Sequence, residues 1–232
     1  MALHSKPVDA TKTLRVMAGL LGYPDAAMRG YLGDMRAALH AERALGVERL
    51  AELDALIDGL GRADPLETEA NYVQLFDRGR ATSLHLFEHV HGDSRDRGPA
   101  MIDLAQTYEK GGLFLAEGEL PDYLPVVLEF VSTQPPREAR EFLGEMAHIF
   151  NAIFNALQQR ESAYASVLGA MLELAGEKAQ AVKVVPDEPL DDSWAEPVVF
   201  DGCSTKGQAS PGQPQPIHII RKPGANTQRS PS

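Results

Sequence analysis

The spacing of apolar residues over the first part of the chain constrains the fold most. Leu14, Met17, Ala18 and Leu21 recur at i, i+3, i+4 and i+7, which is the period of one face of an α-helix. The same spacing returns up to about residue 180, whereas the alternation typical of β-strands is almost missing. The pattern therefore predicts an all-α fold, with a single helical-bundle domain over residues 1–185.

The predicted helices after the first one are bounded mainly by glycine and proline. They cover residues 28–39, 47–60, 66–76, roughly 82–91, 99–112, 122–131, 142–157 and 164–175. The segment 122–131, DYLPVVLEFV, is apolar almost all round, which predicts a helix at the centre of the bundle. Pro125 falls in its first turn, where proline is tolerated.

The composition changes after about Val185. Residues 186–232 are rich in proline, glycine, serine and glutamine, which is typical of a largely disordered tail. Within this tail, WAEPVVF at 194–200 is a short apolar segment that we expect to dock on the domain or on a partner.

Charge and cysteine content restrict the partners and the compartment. The net charge is −11, and most of the acidic excess precedes residue 186, which argues against nucleic acid and favours a neutral or basic partner. No apolar run approaches the roughly 20 residues of a membrane span, and the N-terminus does not read as a signal peptide. Cys203 is the single cysteine, so no internal disulfide forms, and we expect a cytoplasmic protein.

Residues 85–89, HLFEH, match the pattern H-x-x-E-H of inverted zinc peptidases. On a helix His85 and His89 would share a face as two zinc ligands, with Glu88 as general base, so a zinc-dependent hydrolase is the alternative hypothesis. However, no second signature supplies a third ligand, and Arg95 and Arg97 would repel a dication.

Charged residues surround this short helix. Asp77, Arg80, Glu88, Asp96 and Arg97 are interleaved with large apolar side chains. Such a segment forms either a network of ion pairs that holds loops in place or a site that recognises a charged amphipathic peptide. The sequence does not separate the two interpretations.

Two carboxylates flank the apolar helix 122–131. A carboxylate is rarely buried without a partner, so Asp122 and Glu129 require an explanation. Asp122 follows Pro121, and capping of its own helix is the simpler interpretation, without excluding a role at the edge of a groove.

Three longer stretches resemble a known family. They are LRVMAGLLGYPD at 14–25, YVQLFDRGR at 72–80 running on to SLHLFEHVHGDSRDRG at 83–98, and LPDYLPVVLEF at 120–130. Together they resemble the TorD/DmsD family of redox-enzyme maturation chaperones, in the branch that assembles nitrate reductase. The resemblance covers about residues 10–203.

The resemblance implies an all-helical cytoplasmic chaperone and not an enzyme. Such a chaperone binds the N-terminal peptide of the apo catalytic (alpha) subunit of respiratory nitrate reductase. It keeps that subunit competent for insertion of the molybdenum–bis-molybdopterin guanine dinucleotide cofactor before membrane docking. The chaperone itself holds no cofactor stably, and no metal. The alpha–beta complex and cofactor-biosynthesis proteins are further candidate partners, within nitrate assimilation.

The resemblance also selects residues for a client-peptide site. The family pattern E-x-x-D-H falls on Glu119, Asp122 and Tyr123, with tyrosine in place of histidine, so the role of that histidine is not carried over. The predicted site comprises Asp77, Arg80, Glu88, His89, Asp96, Arg97, Asp122, Tyr123 and Glu129. On this interpretation H-x-x-E-H is a coincidence of spacing. Because histidines titrate near neutral pH, His85, His89 and His91 would make client release sensitive to pH.

Overall fold

The computed structural model describes residues 8–92 and 94–181. These residues form eleven α-helices and one 3-10 helix, and no named strand occurs among them. The α-helices are α1 (Thr11–Leu21), α2 (Ala26–Gly30), α3 (Leu32–Glu42), α4 (Val47–Arg62), α5 (Pro65–Phe76), α6 (Leu86–Val90), α7 (Arg97–Lys110), α8 (Leu124–Ser132), α9 (Pro136–Glu145), α10 (Ala147–Gln159) and α11 (Ala165–Ala175), and the 3-10 helix is Arg80–Thr82. The predicted all-α fold is confirmed.

The core lies around two helices that are buried on nearly every side. In α8 every residue except Glu129 is buried, as its sequence predicted, and Pro125 is the second residue of that helix. In α11 the run Ala165–Leu172 is buried throughout. α1 packs against α8 and α3, while α11 packs against α9, α10 and α4. The bundle therefore has its apolar centre in helices that carry almost no polar face.

Local capping explains several helix boundaries. Asp25 and Asp64 accept hydrogen bonds from the backbone N–H groups of Met28 (2.8 Å) and Glu67 (3.1 Å), and so cap α2 and α5. α1 has no such cap of its own. Instead Glu42, at the end of α3, accepts from the N–H groups of Lys12 and Thr13 at 2.9 and 2.6 Å.

Two predicted helices are each divided into two. The segment 28–39 breaks at Tyr31, between α2 and α3, and the segment 142–157 breaks at Met146, between α9 and α10. Both residues keep right-handed dihedrals, with φ −94° in each case. Because a single residue with right-handed dihedrals separates the two helices in each case, the apolar spacing in the sequence does not reveal the break.

Other sequence predictions fall outside the described residues. These include the largely disordered tail at 186–232, its docking segment at 194–200, and Cys203. Within residues 8–92 and 94–181, no helix is long and apolar enough to cross a membrane.

The burial of α8 makes a quantitative prediction. Leu128 is fully buried, so Leu128→Ala is expected to lower the free energy of unfolding by about 2–5 kcal/mol through lost transfer energy and a cavity. Urea denaturation followed by circular dichroism measures this. Leu66→Ala is the matched control. Leu66 is 76% exposed in α5, so this substitution should change the free energy of unfolding by no more than about 0.5 kcal/mol. Equal losses in the two variants would contradict the burial assigned to α8.

Candidate functional site

An open groove with a volume of about 630 Å³ lies beside α5 and α8. We call it the tyrosine groove. Its lining residues come from the segment after α1, from the end of α5, from the segments that precede α6 and α8, and from α8 itself. They are Tyr23, Tyr72, Phe76, Asp77, Leu84, His85, Gly118, Glu119, Leu120, Tyr123, Pro125, Val126 and Glu129.

Tyr72 organises the aromatic floor of the groove. Its hydroxyl donates to the carbonyl of Leu21 (2.7 Å) and lies 3.2 Å from the hydroxyl of Tyr123. The rings of Tyr23 and Phe76 pack on it, with centroid separations of 5.6 and 4.8 Å. Burial raises the pKa of Tyr72 far above its usual value, so this floor stays neutral and protonated.

The rim of the groove is acidic. Asp77, Glu119 and Glu129 are exposed carboxylates, and among the lining residues His85 alone can carry a positive charge. An apolar floor with a negative rim attracts an amphipathic ligand whose polar side is basic.

The wall that holds Tyr123 is built by two chain segments that pair as an isolated antiparallel bridge between His85 and Tyr123. The N–H of Leu86 donates to the carbonyl of Asp122 (3.0 Å), and the N–H of Leu124 donates to the carbonyl of Leu84 (2.8 Å). The His85 and Tyr123 rings lie 5.3 Å apart. This pairing fixes the start of α8 against the segment before α6.

Asp122 lies behind that wall and is fully buried. Its Oδ2 accepts the N–H of Phe87 at 3.2 Å and lies 3.6 Å from Nη2 of Arg97. Its Oδ1 lies 3.3 Å from Nδ1 of His85. A buried carboxylate is tolerated only with such partners.

The expectation that Asp122 caps its own helix is therefore wrong. Tyr123 occupies the N-cap position of α8 and no side chain caps that end. The N–H of Phe87 is one of the unpaired donors in the first turn of α6, and Asp122 accepts it. Asp122 therefore accepts from the first turn of α6, which is distant in sequence, and not from the helix α8 that follows it.

Glu88 and Arg97, which are both half-buried, complete the cluster around Asp122. Arg97 is the first residue of α7. Its Nη2 lies 3.6 Å from Oε1 of Glu88 and 3.6 Å from Oδ2 of Asp122. The hydrogen bond to Asp122 raises the pKa of His85 above its ordinary value, and the charges of Asp122 and Glu88 add to this effect. Burial and the Arg97 charge oppose it.

The zinc-ligand arrangement at 85–89 is not formed. His85 precedes α6 in an extended conformation (φ −88°, ψ 103°), so it does not share a helical face with His89. Nε2 of His89 lies 2.9 Å from the carbonyl oxygen of Ser83, while His85 faces Asp122. Across residues 8–92 and 94–181 no group of three or more histidine, cysteine, aspartate or glutamate side chains is placed to hold a metal ion.

The predicted site residues fall into three groups. Asp77, Tyr123 and Glu129 line the tyrosine groove. Glu88, Arg97 and Asp122 form the cluster behind its wall. The others lie apart from the groove lining: His89 faces Ser83, Arg80 begins the 3-10 helix, and the exposed Asp96 accepts from the hydroxyl of Ser94 at 3.2 Å.

Sequence reasoning did not select the aromatic floor. Tyr72 and Phe76 are four residues apart in α5 and therefore share a face, which is a signal for a common surface. Tyr23 lies between Gly22 and Pro24, after the end of α1, and its 46% exposure is visible only in the structure. The spacing marks these residues as neighbours but does not distinguish a groove from a core.

The fold is similar to that of a protein of known structure. The crystal structure of a proposed redox enzyme maturation protein from Archaeoglobus fulgidus superposes with a TM-score of 0.52, covering 76% of this chain and 100% of that one. The sequences are 20% identical, so this likeness concerns the fold alone.

The family follows from sequence. Residues 40–169 match the nitrate reductase delta subunit family, and the chain belongs to it. It is 45% identical over 183 residues to the nitrate reductase molybdenum cofactor assembly chaperone NarJ of Escherichia coli K12, covering 78% of each chain. It is also 37% identical over 153 residues to the nitrate reductase-like protein NarX of Mycobacterium tuberculosis, or 66% of this chain and 22% of that protein. The chain is thus a member of a family of cofactor assembly chaperones and not of enzymes.

The contact between Asp122 and His85 predicts a measurable titration. The imidazole signals of His85, followed by NMR from pH 5 to 9, should report a pKa above 6.5 that falls in Asp122→Asn, because the largest stabilisation of the imidazolium is lost. Since the folded pKa is raised, this contact stabilises the fold fully below about pH 6.5, and the contribution is lost as pH rises through the folded pKa.

The same variant should lower stability. Asp122→Asn is expected to reduce the free energy of unfolding by about 1–3 kcal/mol, since it weakens the hydrogen bonds to Phe87 and His85 and removes the charge opposite Arg97. Glu129→Gln, at an exposed position of α8, is the control and should change stability by less than about 0.5 kcal/mol. An unchanged His85 titration in Asp122→Asn would contradict the contact.

Proposed function

We propose that this protein is a cytoplasmic chaperone that binds the N-terminal peptide of the apo alpha subunit of respiratory nitrate reductase in the tyrosine groove. Binding keeps the subunit competent for molybdenum cofactor insertion and delays its docking at the membrane. The observation that carries this proposal is an aromatic floor beside an acidic rim, in a family whose relatives include an assembly chaperone for this cofactor.

The groove suits a helical peptide. An amphipathic helix would place its apolar face on Tyr23, Tyr72 and Tyr123, and its basic side chains toward Asp77 and Glu129. Ordering a disordered peptide costs free energy, so the apolar anchors have to supply much of the affinity. The acidic rim then orients the basic side of the peptide and raises the rate of association.

The cluster around Asp122 acts through the groove wall. Asp122 is fully buried, so its carboxylate does not reach a peptide in the groove. It fixes the bridge that presents Tyr123, and Arg97 and Glu88 hold α7 against the same point. We assign Asp122, Arg97 and Glu88 as positioning residues, and Tyr123, Asp77 and Glu129 as peptide contacts.

The proposed chaperone hands over no cofactor of its own. The client receives molybdenum–bis-molybdopterin guanine dinucleotide while the chaperone holds its N-terminal peptide. The alpha–beta complex and cofactor-biosynthesis proteins are the further partners that this role implies. Hydrolysis by a zinc site at 85–89 is not proposed, because His85 and His89 face different partners.

Calorimetric titration with a synthetic peptide from the N-terminus of the cognate alpha subunit tests the groove. One-to-one binding with a Kd of about 1 µM or tighter is expected. Glu129→Lys should weaken binding at least about tenfold, because a positive charge then lies beside the basic face of the peptide. Glu109→Lys, an equal charge change at an exposed site of α7 outside the groove lining, should change the Kd less than about twofold.

Two results would refute this placement. Equal weakening by Glu129→Lys and Glu109→Lys would show that only net charge matters. Tight binding that neither variant alters, but that a change outside the tyrosine groove abolishes, would place the client elsewhere.

Release should depend on pH through His85. Protonated His85 places a positive charge in the groove lining, so peptide affinity should fall from pH 8 to pH 6. The groups around this imidazole are Asp122, Glu88 and Arg97, and Asp122→Asn should move the midpoint to lower pH. Titrations at pH 6, 7 and 8 measure the effect, and an affinity constant across this range would contradict it.

A further inference from the structure

A second open cavity lies along the exposed face of α5, next to the tyrosine groove. We call it the α5 notch. Its volume is about 400 Å³. Most of its lining belongs to α5, with further contributions from the segments after α1 and after α5. The lining includes Leu66, Glu69, Ala70, Val73, Tyr23 and Arg78.

An apolar stripe leads from this notch to the tyrosine groove. Leu66, Ala70 and Val73 recur at i, i+4 and i+7 and therefore share one side of α5. Leu66 and Ala70 are exposed and Val73 is half-buried, so solvent covers much of the stripe. The next position at this spacing is Asp77, in the acidic rim of the groove. An exposed apolar surface beside a polar rim is typical of a site that binds another chain.

Tyr23 joins the two cavities, since it lines both and its side chain is partly exposed. Its ring packs edge-on against Tyr72, and its hydroxyl donates to Oε2 of Glu69 at 3.0 Å. The hydrogen bond to Glu69 raises the pKa of Tyr23 above its ordinary value, so the hydroxyl keeps its proton and remains a donor. Tyr23 is thus held at two points in the floor that the groove and the notch share.

Charge distinguishes the two ends of this combined surface. The groove lining carries three carboxylates against one histidine, whereas Glu69 and Arg78 in the notch have opposite signs. Any peptide that begins at the N-terminus of a protein carries a positive α-amino group, whatever its sequence. The amino-terminal end of such a peptide is therefore attracted to the acidic rim, and its apolar residues further along suit the neutral notch.

The length of the surface matches a short helix. From Leu66 to Asp77 the chain advances by eleven residues, which corresponds to roughly 16 Å along α5. A helical peptide lying beside α5 needs about the same number of residues, or three turns, to reach from the rim to the notch. A peptide confined to the tyrosine groove would contact only one end of this surface.

We propose, on the basis of the function proposed above, that the client peptide lies as a helix antiparallel to α5. Its amino-terminal turn lies at the acidic rim, and apolar side chains about three turns later pack on Leu66, Ala70 and Val73 in the α5 notch. Glu69 is a positioning residue, because it holds Tyr23 in the floor between the two cavities.

Calorimetric titration tests the contact with the notch. The full chain is titrated with a synthetic peptide of about 16 residues from the N-terminus of the cognate alpha subunit. Leu66→Ala should weaken binding about fivefold or more, because an apolar contact at the far end is lost. Ile102→Ala is the matched control and should change the Kd less than about twofold, since Ile102 is exposed on α7 outside both cavity linings.

Nuclear magnetic resonance tests the direction of the helix. The isotope-labelled full chain is mixed with the same peptide carrying a nitroxide near either its amino-terminal or its carboxy-terminal end. The carboxy-terminal label should broaden the amide signals of Leu66 and Ala70 more than that of Glu129. The amino-terminal label should give the reverse order.

The outcomes separate this proposal from the function on which it rests. If Glu129→Lys weakens binding while Leu66→Ala and Ile102→Ala have equally small effects, the peptide occupies the groove and does not reach the notch. The proposed function would then stand, and the extension along α5 would be wrong. Broadening of the Leu66 and Ala70 signals by the amino-terminal label would overturn the antiparallel direction. An unaltered protein that does not bind the peptide at all would overturn both proposals.

Discussion

The buried carboxylate of Asp122 is the interaction on which the candidate site depends. An ionised group without water is costly unless it is paired and hydrogen-bonded, so this one side chain requires several partners at once. It obtains them from the start of α6, from His85 and from Arg97 at the start of α7. The segment before α8, the start of α6 and the start of α7 are thereby held around one point.

The residue before Asp122 extends this arrangement. Tyr108, near the end of α7, donates its hydroxyl to the carbonyl of Pro121 at 2.8 Å, and it is the one residue of α7 that is fully buried. Both ends of α7 are thus attached to Pro121 and Asp122, while Tyr123 faces the groove.

Sequence patterns predicted the bundle well and the site in part. The burial of α8 followed from its apolar composition, and Asp77 and Glu129 were selected and do line the groove. The expectation that His85 and His89 would share a helical face was wrong, because helical spacing applies only inside a helix and α6 begins at Leu86. Asp122 was assigned to the nearest helix end, since local spacing contains no information about the distant N–H of Phe87.

The sequence by itself determined that the chain is helical, that the helix 122–131 is buried, and that the charge favours neutral or basic partners, because periodicity and charge are properties of neighbouring residues. It also contained the stretches by which the family is identified. The tertiary structure decided which side chains meet. Tyr23, Tyr72 and Tyr123 converge, and the buried carboxylate of Asp122 meets its three partners, only because the packing of α1, α5, α7 and α8 brings distant segments together. Such contacts depend on the relative positions of helices, which local preferences do not specify.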